Sequence, residues 1–136
     1  MIKTSLIVPL YNEENNINSL VEMIENQTYQ PNEVIFINAG SIDNTSNLLS
    51  DRIKKYKYKE VKIIIKNTKK LFPGGARNIG IEISKYDHLL FIDAGIKIHT
   101  KWIQTAIEII KNNECDIVWG SCKYSFKNNF SEALCS

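Results

Sequence analysis

Residues 5–14, Ser-Leu-Ile-Val-Pro-Leu-Tyr-Asn-Glu-Glu, and residues 33–45, Glu-Val-Ile-Phe-Ile-Asn-Ala-Gly-Ser-Ile-Asp-Asn-Thr, share one plan. Each is an apolar run that breaks into small and polar residues and then enters a helical pattern. They lie about one βα unit apart. In an open parallel sheet the carboxyl ends of neighbouring strands form a crevice where ligands bind. Two such ends, carrying Asn, Asp, Glu, Ser and Gly, predict a nucleotide-sized site.

Outward from these ends the alternation continues. Residues 4–10 and 33–37 are continuous apolar runs, as expected of strands buried on both faces. Residues 14–28 place Ile17, Leu20, Val21 and Ile24 at helical spacing, and residues 43–56 do the same with Leu48, Leu49 and Ile53. Residues 61–65 are rich in β-branched side chains and predict a third strand. Pro73 predicts the start of a helix reaching about residue 85, with Ile79 and Ile83 inward, because the first helical turn does not need its N–H. Residues 88–92 read as a fourth strand that ends in Asp93-Ala94-Gly95. Thr100 is expected to cap a helix whose Ile103, Ala106, Ile107 and Ile110 form one stripe. Residues 116–126 read as a fifth strand. There is no repeat, low-complexity tract or linker. The pattern predicts a single α/β domain over residues 1–136, a three-layer α/β/α sandwich on a mostly parallel sheet.

The totals narrow the function. In 136 residues the net charge is only +2, which gives no electrostatic case for nucleic acid as partner. The densest basic stretch, residues 54–59, reads as a solvated helix end, with peripheral contact to an anionic membrane as a further expectation. Cys115, Cys122 and Cys135 form an odd set without metal-ligand spacing and read as reduced thiols of a cytoplasmic protein. No signal-peptide pattern or membrane-spanning apolar run is present. The sequons at Asn26, Asn44 and Asn129 are accordingly read as incidental.

Several residues remain for chemistry. Asn12 is expected to cap the next helix, whereas Tyr11 and Glu13 suit stacking on a base and accepting a hydrogen bond from it or from a ribose hydroxyl. Gly40 permits a close backbone approach or a left-handed turn. Ser41 or Asp43 is expected to cap the second helix, and Asn38 at the strand end is the stronger ligand contact. Gly74-Gly75-Ala76-Arg77 enters a helix, whose free N–H groups attract anions. The Arg77 fork adds a match to a diphosphate. Neither a P-loop nor the dinucleotide fingerprint is present. Asp93 follows an apolar run, so it emerges at the carboxyl edge of the sheet, where a carboxylate can hold a hard divalent cation that also binds phosphate oxygens.

These segments in this order, residues 7–14, 38–45, 76–80 and 91–95, resemble the family 2 glycosyltransferases over essentially the whole chain. The resemblance implies a Rossmann-like GT-A fold, a nucleotide-sugar donor and a divalent cation, Mn or Mg. It places Pro9, Tyr11 and Glu13 at the nucleoside with Asn38 and Ala39 beside them, along with Gly40 and Ser41. It places Gly75 and Arg77 near the diphosphate. Asp93 becomes the first acid of an Asp-x-Asp metal motif. The chain departs from the family pattern in three ways. Asn38 and Ala39 replace a pair of Asp, the second of which often reads uracil. Gly95 replaces the second metal-motif acid, as in one part of the family. The acceptor-binding half that supplies the catalytic base is expected outside this segment, and Glu132 is not assigned that role.

The implied function is transfer of a sugar from a nucleoside diphosphate to an acceptor hydroxyl, inverting and metal-assisted. The acceptor class is carbohydrate, lipid-linked sugar or protein, in cell-surface polysaccharide or glycoconjugate synthesis. The implied location is cytoplasmic, at the inner face of the membrane. The segment alone is expected to be inactive. The rival is a nucleotide-sugar-binding or scaffold domain without catalysis. A phospho-receiver module is disfavoured, because strand three ends in Ile65-Lys66-Asn67 and not in Asp.

Overall fold

Where an apolar run is continuous, both faces of the resulting strand need cover, and the chain supplies it from two sides. The computed structural model describes residues 1–113, 115–118 and 120–121. Strands β1 (Thr4–Leu10), β2 (Glu33–Ala39), β3 (Lys62–Thr68) and β4 (His88–Phe91) form one parallel sheet in the order β3-β2-β1-β4. Helices α1 (Ile17–Glu25), α2 (Thr45–Lys54), α3 (Pro73–Ile83) and α4 (Trp102–Asn113) connect and cover it. On one face Leu6, Val8, Leu10, Val34 and Phe36 meet the apolar stripes of α1, α2 and α4. On the other, Ile7, Ile35, Ile37 and Ala39 lie beneath Ala76 of α3. This is the three-layer sandwich expected from the sequence. No helix among the described residues is long and apolar enough to cross a membrane.

The strand order reverses direction at β1, which puts a topological switch point between β1 and β4. Proline limits the pairing there. Ile7 gives its carbonyl to the Ile92 N–H on the β4 side (3.3 Å). Alternate residues of a strand face the same neighbour, so Pro9 also faces β4 and has no N–H to offer. Pairing of β1 with β4 stops at Ile7↔Phe91, while pairing with β2 runs on to Leu10↔Asn38. Pro9 therefore lies inside β1 and ends only one of its two ladders.

Several expected boundaries move. β3 extends to Thr68, because Asn67 and Thr68 still pair with Asn38 and Ala39 although their side chains are polar. α1 begins at Ile17 with Asn16 before it, so Asn12 is not its cap. α2 begins at Thr45. Ile79 packs under α3, but Ile83 is exposed. At the start of α4 the Ile103 N–H goes to Gln27 Oε1 (3.1 Å) from beyond the end of α1, while the Thr100 carbonyl receives the Thr28 N–H (2.8 Å). Of the expected fifth strand, residues 116–118 and 120–121 carry no strand assignment, and the rest lies outside the described residues, as does Glu132.

The approach of α3 to the sheet is set by one glycine. A Cβ on Gly80 would stand 2.4 Å from Ile7 Cγ2, and Ile7 is fully buried in an interior strand. Gly80→Ala is expected to destabilise the fold by about 1–3 kcal/mol in urea denaturation, as overpacking does. Ile7→Ala removes the clashing methyl. The double variant should be less destabilised than the sum of the singles, by about 0.5–3 kcal/mol. Strict additivity would show that Ile7 does not set the helix height.

Candidate donor-binding site

At the carboxyl edge of the sheet the loops after β1 and β2 are stitched together. Asn12 has φ 52°, a left-handed conformation that Asn tolerates better than most side chains. That turn lets its N–H reach Ser41 Oγ (3.0 Å) while its own Oδ1 accepts from the Ile42 N–H (2.9 Å). The Glu13 N–H goes to Thr45 Oγ1 (2.8 Å) and the Glu14 N–H to Asp43 Oδ2 (3.2 Å). Glu14 Oε2 accepts from the Asn44 N–H in return (2.8 Å). Asp43 Oδ1 takes both the N–H (3.0 Å) and the hydroxyl (2.5 Å) of Thr45. Slight desolvation raises the Asp43 pKa, but the bonds from Thr45 and Glu14 outweigh it and hold the carboxyl below its usual value.

Neither Ser41 nor Asp43 is the N-cap of α2: that position is Asn44, which makes no side-chain cap bond. Asp43 serves the first N–H of α2, whereas Ser41 serves the other loop. Asn12, expected to cap a helix, is instead the hinge of the stitch. Its partners are about 30 positions away, so only its tolerance of a left-handed turn was visible locally.

Tyr11, 37% exposed, stands at the mouth of the edge. Lys70 Nζ lies 5.0 Å from the centre of its ring. Glu13 is half-buried and its carboxylate accepts from Asn16 Nδ2 (2.7 Å). Gly40 has φ +78°, and a Cβ there would stand 2.5 Å from Lys70 N and 2.8 Å from its Cα. Both conditions require glycine. The chain leaving β3 therefore passes directly against the end of β2.

Asn38 and Ala39 face opposite sides. Asn38 is 5% exposed, donates to Asn67 Oδ1 (3.0 Å) and keeps a buried Oδ1 without a partner. The Ala39 methyl lies in the core under α3, not toward the crevice. Gly75 sits in the first turn of α3, where the nearest side chain to a Cβ would be Leu71 at 3.7 Å.

Arg77 and Asp93 are brought together from different elements. Ala76 and Gly80 seat α3 on the sheet, and Arg77 follows Ala76 at the carboxyl edge. Asp93 lies just past β4, where its carbonyl accepts from the Ile96 N–H (3.1 Å) and closes a turn. Arg77 Nη2 donates to Asp93 Oδ1 at 2.5 Å, with the side chains 34% and 48% exposed. The two groups assigned to a diphosphate and a cation thus neutralise each other.

Among the described residues no group of three or more His, Cys, Asp or Glu side chains could hold a metal. A single, half-exposed carboxylate fits a hard cation that takes its other ligands from phosphate oxygens and water. It does not make a self-standing metal centre.

Comparison with known proteins bears on the family and the fold. The model of glycosyl transferase family 2 matches residues 5–136. The chain is 30% identical over 131 residues to glycosyltransferase AglE of Haloferax volcanii, covering 95% of this chain and 42% of that protein. It is 30% identical over 124 residues to a poly(ribitol-phosphate) beta-glucosyltransferase of Bacillus spizizenii, covering 90% of this chain and 19% of that protein. The chain thus spans less than half the length of these relatives. Among solved structures it resembles S. aureus TarS in complex with UDP, with TM-score 0.70 and 23% identity over 83% of this chain and 33% of that one. It also resembles the mannosyltransferase PcManGT of Pyrobaculum calidifontis in complex with GDP-Man and Mn2+, with TM-score 0.71 and 19% identity over 82% of this chain and 33% of that one. The fold is GT-A.

Proposed function

The chain belongs to glycosyltransferase family 2, and we propose that it forms the donor-binding part of a metal-assisted, inverting sugar transferase. The observation that carries this reading is the Arg77–Asp93 pair at the carboxyl edge of the sheet, on the side where β1 stops pairing with β4 at Ile7↔Phe91. Known relatives and neighbours supply the substrate class: solved neighbours hold UDP, or GDP-Man with Mn2+.

Each residue has a role that follows from its place. Tyr11 offers an exposed ring to the base, and Glu13 a carboxylate to a ribose hydroxyl. Pro9 and Gly40 shape the walls, with Ser41 holding the Tyr11 loop through Asn12. Asn38 and the Ala39 backbone line the β2 end. Gly75 and the open first turn of α3 leave N–H groups for an anion. Arg77 orients the diphosphate and neutralises charge as the leaving group departs. Asp93 would hold the divalent cation, Mn or Mg, which supplies Lewis-acid stabilisation of the same charge. The general base is assigned to no residue of this chain. The proposal extends to a cell-surface polymer as acceptor, reached from the cytoplasmic side of a membrane; the relative named as a poly(ribitol-phosphate) beta-glucosyltransferase supports the polymer alone.

The Arg77–Asp93 pair is partly exposed, and such pairs contribute only about 0–1 kcal/mol. It can therefore open when a donor offers each side chain a better partner. Arg77 gains phosphate and Asp93 gains the cation in one exchange.

Calorimetric titration with UDP, GDP, CDP and dTDP, each with and without Mn2+, tests the reading. Metal-dependent binding of a nucleoside diphosphate is expected. No binding by folded protein would refute a donor site in this chain. Asp93→Ala is expected to abolish the gain from Mn2+ while leaving the melting temperature unchanged. An undiminished metal effect would remove Asp93 from the site. Arg77→Ala is expected to weaken diphosphate binding by about tenfold or more, with little change for the free nucleoside. Equal losses for both would rule out its phosphate role.

A further inference from the structure

We propose that the edge of the sheet opposite the donor site carries a second ligand site, an open depression between Lys3, Lys85 and Lys111 that takes a phosphate-bearing anion. The site shares no residue with the donor site and stands independently of that reading.

In a parallel sheet all strands begin at one edge. There Lys3 precedes β1, residues 85–87 link α3 to β4, His88 opens β4, and Lys111 lies in the last turn of α4. These segments line a depression of about 430 Å³, a size that suits a small ligand. The Lys3 and Lys85 ammoniums stand 5.8 and 5.6 Å from the centre of the Tyr86 ring. Two cations thus converge on one half-buried aromatic side chain.

The lining is rich in donors and poor in acceptors. Among the described residues neither Lys3, Lys85 nor Lys111 has an ion-pair partner. Asp87 is the one carboxylate lining the depression, and it pairs with none of them. The Tyr86 hydroxyl and the His88 ring make no hydrogen bond with another described residue. Like charges brought together repel, and an anion with several oxygens relieves that repulsion. A phosphate can accept from both ring lysines and from the Tyr86 hydroxyl at once. Lysine serves phosphate as a point charge. A cation over a partly exposed ring is only weakly held, so either ammonium can turn to the ligand. Lys111 also answers the negative end of α4, and Lys3 and Lys85 therefore carry the argument.

The backbone beneath these lysines is held from inside the fold. Glu33 is fully buried, and its Oε1 accepts from Ser5 Oγ (2.7 Å) and from the Lys85 N–H (2.6 Å). Ser5 Oγ in turn accepts from the Tyr86 N–H (3.3 Å). Lys3 sits between two anchors of its own. The Ile2 carbonyl accepts from the Tyr29 hydroxyl (3.2 Å), and the Thr4 N–H donates to Asn32 Oδ1 (3.0 Å). A buried carboxylate is costly unless hydrogen-bonded, and Glu33 is committed to fixing the link that carries Lys85 and Tyr86. Solvated surface lysines need no such support. A site set in place before its ligand arrives loses less to ordering.

The test is a nuclear magnetic resonance titration of the 136-residue chain with inorganic phosphate, without added metal, against chloride at matched ionic strength and pH. Saturable shifts are expected at the amides of residues 85–88, and Arg77→Ala should leave them unchanged. Lys3→Gln combined with Lys85→Gln should weaken this binding about tenfold or more. Lys3→Arg combined with Lys85→Arg should retain it. Both side chains are exposed and the Glu33 bond uses the Lys85 backbone, so these variants should melt like the parent. Glycerol 1-phosphate and phosphatidylglycerol vesicles, with phosphatidylcholine vesicles as control, separate the sources of the phosphate. Retention on the anionic vesicles that is lost with Lys3→Gln and Lys85→Gln identifies a lipid headgroup. Shifts with glycerol 1-phosphate and no retention identify a soluble ester. Binding of neither reduces the site to an adventitious ion only and overturns the proposal. So does the absence of saturable shifts with phosphate, and so do shifts that chloride reproduces or that survive Lys3→Gln with Lys85→Gln. Shifts confined to the surroundings of Arg77 also overturn it and leave the donor-site reading intact. Failure of the nucleotide titration leaves this second site untouched.

Discussion

The contact between Ile7 and Gly80 is the constraint on which the layered structure depends. Ile7 belongs to one of the two interior strands and is fully buried, so it cannot yield. The helix above it must approach until backbone nearly touches the Ile7 methyl, and only glycine allows that. The close approach seals the face of the sheet formed by Ile7, Ile35 and Ile37. It also fixes where the first turn of α3 ends up. Arg77 stands one turn before Gly80, so the height of the helix at Ile7 decides whether its guanidinium reaches Asp93. A packing rule inside the core thereby sets an electrostatic distance at the edge.

The edge has its own frame, made of hydrogen bonds between two loops. Strand ends and helix starts leave N–H groups without regular partners, and buried ones are costly unless satisfied. Here the β1 loop answers the β2 loop group by group, through Asn12, Ser41, Asp43 and Thr45. Glu14 and Asp43 spend their carboxylates on backbone N–H groups. They are part of the scaffold, and not acids waiting for a metal. Such a frame holds Tyr11 in position before any ligand arrives, which reduces the ordering cost of binding.

Much of this was legible in the residues, and the rest was hidden for definite reasons. Continuous apolar runs gave β1 and β2 because burial on both faces leaves a compositional mark. Pro73 marked the start of α3 because a missing N–H is harmless there. β3 ran past its apolar run because ladder pairing at Asn67 and Thr68 involves backbone alone, which side-chain pattern does not report. Asn12 looks like a cap in the sequence because helix starts look local, whereas its partners come from the next loop. Gln27 serving α4, and Lys70 covering Tyr11, join residues 76 and 59 positions apart. Periodicity carries no information at that range. In the candidate site, Arg77 and Asp93 stood out by their positions at a helix start and a strand end, but their mutual contact did not.

The end of β2 shows how charge is distributed at the site. An ionised carboxylate at the position of Asn38, buried beside Leu10 and Asn67, would need a compensating charge. The amide at this position instead pairs with Asn67 and carries no charge. Ala39 removes the other acid and gives a methyl to the core. The strand end is thus neutral and packed, and the charged groups are left to the surrounding segments. Arg77 comes from the helix, Asp93 from the β4 turn, Glu13 from the β1 loop and Lys70 from the segment after β3. Two cations and two carboxylates then bracket an uncharged floor. Such an arrangement can meet a diphosphate and a cation together with little change in net charge. Either one arriving alone would leave an unmatched partner. That balance is the physical reason to expect the metal and the nucleotide to bind as one complex.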